Sequence, residues 1–129
     1  MGEMRVLVAF ASLCATLVPA AASAKIEEPR RTDIDVRSPT SMIDLQGCIM
    51  RRMSKWGRSM PVPIDGGVAL DFNYWSLISL PGEAKFAVEI VDLGSERKLS
   101  ATYRHPTSAG KARRMFRDFT NGCLQEPAT

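Results

Sequence analysis

The sequence predicts a two-layer α+β domain, an antiparallel three- to four-stranded meander with an N-terminal and a C-terminal helix on one face. Apolar residues recur at helical spacing near both ends of the chain, and they alternate with polar residues in the middle. Short turns separate the alternating segments, which favours antiparallel neighbours. The expected order is α-β-β-β(-β)-α.

Residues 1–24 have the pattern of a secretory signal peptide, because Arg5 precedes an apolar stretch that ends before Ala22-x-Ala24. The stretch of about 13 residues is shorter than the roughly 20 that a membrane-spanning helix needs. An uncleaved anchor and a lipid-modified Cys14 are the alternatives. We expect cleavage before Lys25, no transmembrane segment afterwards, and a soluble mature chain in the periplasm or outside the cell.

The length of the chain after the predicted leader favours a single domain, which we expect over residues 38–124. Residues 25–37 are predicted to be a flexible lead-in and residues 125–129 a tail. The lead-in is polar and mixed in charge, and a short edge strand at Ile34 and Val36 is its alternative reading. Ser38 and Pro39 suit the start of a helix. A helix is predicted over about 40–56, ended by Gly57, from an apolar stripe at Met42, Leu45, Ile49, Met53 and Trp56.

Three alternating segments, at 68–75, 86–91 and 99–103, predict the strands of the meander. The segment 61–64 contains Pro61 and Pro63, so it is predicted as an edge strand at most. Pro106, Thr107 and Ser108 precede a second helical pattern that runs toward Cys123.

Two cysteines, Cys48 and Cys123, follow the leader, and in an exported chain such a pair predicts an intramolecular disulfide. Free thiols, an intermolecular bridge or half of a metal site are the alternatives. No metal site or cofactor is expected, because the chain has a single histidine and no CxxC pair. A disulfide would require the two predicted helices to be neighbours.

Candidate catalytic residues are few. His105 is the only histidine, and no nucleophile-elbow motif accompanies it, so we expect no enzyme activity. The carboxylates of Asp65, Asp71, Glu89 and Asp92 are expected on a solvated face of the sheet rather than as a catalytic pair.

Basic residues gather on the two predicted helices and beside the first. They could form an ordinary solvated face, or a surface for an anionic envelope component or an acidic protein. Nucleic acid is not expected, because the chain is exported and its strands lack a basic–aromatic pattern. The candidate surface comprises Arg51, Lys55, Arg58, Arg113, Arg114 and Arg117.

The sequence contains no motif that is characteristic of a particular activity. The leading hypothesis is a non-enzymatic binding or interaction module of the cell envelope, with the basic helical layer as its contact surface. The alternatives are a small hydrolase that uses His105, and a carrier that holds a small apolar ligand between the helices and the sheet.

Overall fold

The computed structural model describes residues 28–75 and 79–124, so the predicted leader and tail lie outside the described residues. Within these ranges, two helices accompany one six-stranded sheet. No described helix has the length and apolar composition to cross a membrane. The elements in chain order are β1 (Arg30–Arg31), β2 (Val36–Ser38), α1 (Met42–Met53), β3 (Gly57–Ile64), β4 (Gly67–Tyr74), β5 (Phe86–Asp92), β6 (Arg97–Tyr103) and α2 (Ala109–Thr120).

The sheet has the order β1-β6-β5-β4-β3, and β2 also pairs with β6. All of these pairings are antiparallel, so β3 to β6 form a meander as the sequence predicts. The predicted order of elements is wrong at its start, because α1 follows β1 and β2 instead of preceding every strand. The segment before α1 supplies these two short strands through backbone pairing with β6. The alternative prediction of an edge strand at Ile34 and Val36 is confirmed in part, because β2 begins at Val36 and both side chains pack against the core.

Capping serines set the starts of both helices. Ser108 Oγ accepts a hydrogen bond from the Lys111 amide (3.1 Å), at the start that the sequence predicts. For α1 the cap is Ser41, whose Oγ accepts from the Asp44 amide (3.3 Å). Ser38, the predicted cap, instead ends β2 and is buried.

The strand β3 forms one edge of the sheet, as its prolines predict. Pro61 pairs with Leu70 and Pro63 with Val68. Since proline has no N–H to donate to β4, the backbone positions of both prolines face away from that neighbour. The outer edge of β3 is therefore poor in donors and resists the addition of a further strand.

The core lies between the helices and one face of the sheet. The predicted stripe of α1 is buried at Leu45, Ile49 and Met53, but Trp56 lies beyond the helix end and is 63% exposed. The disulfide between Cys48 and Cys123 is present, with the Cα atoms 5.7 Å apart. It joins the middle of α1 to the turn after α2, so the two helices are neighbours, as the paired cysteines require.

Candidate binding groove

A groove of about 260 Å³ opens on the helix side of the molecule, between α2 and the ends of α1 and β4. Its floor is apolar, because Met115 and Phe119 are almost completely buried there. Its rim carries exposed aromatic and charged side chains. The lining residues are Trp56, Tyr74, Lys111, Arg114, Met115, Asp118 and Phe119.

The helical repeat places five of these side chains on one face of α2. Lys111, Arg114 and Asp118 are three and four residues apart and therefore lie along one side of the helix. Met115 and Phe119 follow the same repeat on the adjoining buried side. The amphipathic character of α2 thus produces a charged rim directly above an apolar floor.

Pairing between β3 and β4 brings the two aromatic side chains of the rim together. Trp56 immediately precedes Gly57, and Gly57 pairs with Tyr74 in the sheet. A Cβ atom at Gly57 would collide with the backbone carbonyl of Asn73, so a glycine is required at this close approach.

The aromatic rings of the groove continue into the core. Tyr74 meets Phe72 edge to face, with 5.1 Å between ring centroids, and the Phe72 and Phe119 centroids are 4.7 Å apart. Phe119 also packs on Phe86. Such contacts hold Tyr74 in place although 38% of its surface is exposed. The wall of the groove formed by Tyr74 is therefore supported by the buried aromatic cluster.

The rim of the groove carries three charged side chains, those of Lys111, Arg114 and Asp118. Lys111 Nζ lies 5.2 Å from the centroid of the Tyr74 ring, within cation–π distance. Among the residues that the structure describes, neither Lys111 nor Arg114 nor Asp118 takes part in an ion pair. Two cations and one carboxylate give the rim a net charge of about +1.

The six basic residues of the predicted surface lie in different surroundings. Arg114 lines the groove, whereas Arg113 pairs with Asp33 at 3.5 Å, on the side of the lead-in. Arg117 is exposed in the last turn of α2, and Lys55 is exposed after α1. The remaining two lie elsewhere. Arg51 lines a cavity beside the disulfide. Arg58, on β3, pairs with Asn73 of β4 and lies on the face of the sheet that is turned away from the helices.

His105 is exposed at the start of the turn between β6 and α2. It lines a surface cavity together with Arg30, Thr107 and Ser108, and the lining contains hydroxyl groups but no carboxylate. The Ser108 hydroxyl accepts the capping hydrogen bond from Lys111 N. The geometry therefore offers His105 no orienting acid within this cavity, and no observation favours a hydrolase.

The acidic residues of the sheet are engaged in structural contacts. Glu89 pairs with Arg31 and Asp92 pairs with Arg97. Asp71 differs from the prediction of a solvated carboxylate, because only 4% of its surface is exposed. The Oδ2 atom of Asp71 accepts a 2.7 Å hydrogen bond from the amide of Gly82, which follows β4 in the chain. Burial raises the pKa of Asp71, and the Gly82 N–H and the nearby Arg104 charge partly oppose this shift.

The void that the described residues enclose between the helices and the sheet is much smaller than the cavity of a carrier protein. A void of about 20 Å³ lies beside Phe72, Phe86 and Met115, which is enough for about one water molecule. Pockets for small ligands are usually larger than about 300 Å³. No observation therefore favours the carrier hypothesis.

Sequence reasoning missed most of the groove, because it placed Trp56 in the core and did not group Lys111 and Asp118 with Tyr74. The available signal in the sequence was Trp56 directly before the helix-ending Gly57, at the end of the apolar stripe. No protein-family model, curated protein or solved structure matches this chain.

Proposed function

We propose that the chain is a non-enzymatic binding module of the cell envelope that contacts an anionic partner through its helix layer. The groove beside α2 supports this function, since it combines exposed aromatic rings with two cations that have no ion-pair partner among the described residues. Aromatic and arginine side chains are enriched where proteins bind partners. The disulfide and the leader pattern are consistent with work outside the cytoplasm.

The charge distribution centres the proposed contact on the groove. Arg113 is partly neutralised by Asp33, whereas Arg114 is not paired within residues 28–75 and 79–124. The long stems of Lys111 and Arg114 and the apolar floor below them supply dispersion contacts in addition to charge. A partner that is anionic and partly apolar therefore fits the groove better than a simple ion does.

Binding of a polyanion tests the proposal. The purified, disulfide-bonded protein is titrated with dextran sulfate, and with uncharged dextran as the reference, at low and at high salt. We expect dextran sulfate to bind at low salt and to bind less as salt screens the exposed charges over about 10 Å at 0.1 M. Absence of binding at low salt, both to dextran sulfate and to a carboxylated polysaccharide such as polygalacturonate, would contradict the proposal.

Two double variants locate the contact. Lys111→Glu/Arg114→Glu reverses the groove cations, while Arg113→Glu/Arg117→Glu makes the same change in net charge elsewhere on α2. We expect the groove variant to lose at least about tenfold more affinity than its control, in line with charge-assisted hydrogen bonds of roughly 1.5–3 kcal/mol. Equal losses would place the contact over the whole helix layer and remove the groove from the proposal.

A further inference from the structure

The groove beside α2 has the side chains of a saccharide site. Its volume of about 260 Å³ lies slightly below the roughly 300 Å³ at which pockets for whole small ligands usually begin. Trp56 and Tyr74 are 63% and 38% exposed, so both rings are accessible for contact. An aromatic ring offers a flat apolar surface against which the C–H face of a pyranose ring can pack.

The charged side chains of the groove favour a sugar that bears a carboxylate over a neutral or a phosphorylated one. The Arg114 guanidinium has the planar fork that binds a carboxylate through two hydrogen bonds, and Lys111 adds a mobile positive charge. Asp118 in the same wall is an acceptor for hydroxyl groups. A net charge of about +1 complements one carboxylate per sugar, whereas a doubly charged phosphate would meet the repulsion of Asp118.

We propose that the groove binds a carboxylated sugar of an acidic polysaccharide, with the sugar ring against Trp56 and Tyr74 and its carboxylate on Arg114. This assignment rests on the proposed function, because it names the anionic partner of the same surface. An anionic lipid headgroup lacks the flat C–H face that the exposed rings fit. An acidic peptide has a carboxylate but no ring bearing hydroxyls for Asp118.

The fluorescence of Trp56 is the direct readout. The chain has two tryptophans, so Trp75→Phe leaves Trp56 as the only one. This variant is titrated with an oligogalacturonate and with its methyl ester, which keeps the sugar rings and removes the charge. We expect the acid to change Trp56 emission, and we expect the ester to bind about tenfold more weakly, since it cannot form the charge-assisted contact.

Matched variants separate the ring contact from the charge contact, with isothermal titration calorimetry as the measurement. Trp56→Ala should weaken the binding of the acid and of the ester to the same extent. Trp75 is 58% exposed but lies outside the groove, so Trp75→Ala should weaken the binding of neither. Arg114→Ala should remove the preference for the acid and leave the ester unchanged. Arg117→Ala should keep that preference.

The outcomes distinguish the two proposals. If dextran sulfate or anionic vesicles bind through Lys111 and Arg114 but millimolar oligogalacturonate leaves Trp56 emission unchanged, the saccharide assignment is overturned and the binding module stands. Equal affinity for acid and ester also overturns the assignment. If no polyanion and no oligogalacturonate binds, both proposals fail. Circular dichroism of each variant verifies that the fold is retained.

Discussion

Removal of the disulfide should cost this domain a large part of its stability. Cys48→Ala/Cys123→Ala opens a covalent loop between residues 75 positions apart, which contains the whole meander and α2. In the chain-entropy model, a loop of this length constrains the unfolded state by about 4.5 kcal/mol. Small domains have a total free energy of unfolding of about 5–15 kcal/mol, so the variant should be marginally stable.

Urea unfolding at pH 7 of oxidised wild type, reduced wild type and the double variant measures this loss. The two chains without the bond should have similar midpoints, well below that of the oxidised protein. Their m values should be larger, because an open unfolded chain exposes more surface. In thermal unfolding, the melting temperature should fall by roughly 20–35 °C.

Comparison of the reduced and the substituted protein distinguishes the effect of loop closure from the effect of side-chain packing. If the reduced wild type loses less than about 1 kcal/mol while the double variant loses several, packing of the buried Cys123 side chain and not loop closure stabilises the fold. A small loss in both, with unchanged m values, would refute the chain-entropy estimate for this domain.

Three further substitutions test the fold by denaturant unfolding. Asp71→Asn should flatten the pH dependence of the free energy of unfolding. Because the pKa of Asp71 is raised in the folded protein, the wild type loses stability as the pH rises from the pKa of the unfolded chain through that of the folded protein. An unchanged pH profile in the variant would contradict this expectation. Gly67→Ala should cost about 1–3 kcal/mol, since its Cβ would collide with the Ile90 carbonyl, and a neutral effect would show that β5 moves aside. Phe119→Ala should cost about 3–5 kcal/mol by removing the ring that packs on Phe72, and a loss below about 1 kcal/mol would contradict that packing.

Local patterns in the sequence determined the helices, the meander and the disulfide. Helical spacing located α1 and α2, and alternation located β4, β5 and β6, because burial of one face imposes the period of each element. The prolines of β3 predicted an edge because they lack an N–H. The pairing of Cys48 with Cys123 followed from the even number of cysteines after the predicted leader, in a chain that we expect to be exported.

Tertiary structure alone decided how distant segments meet. The strands β1 and β2 both pair with β6, and although Ile34 and Val36 indicated a possible strand, nothing in the lead-in specified β6 as its partner. Asp71 is buried, and it accepts a hydrogen bond from the amide of Gly82, eleven residues further on. Trp56 joins Tyr74 and Arg114 in one groove through strand pairing and helix packing. These contacts link residues far apart in sequence, so no local periodicity records them.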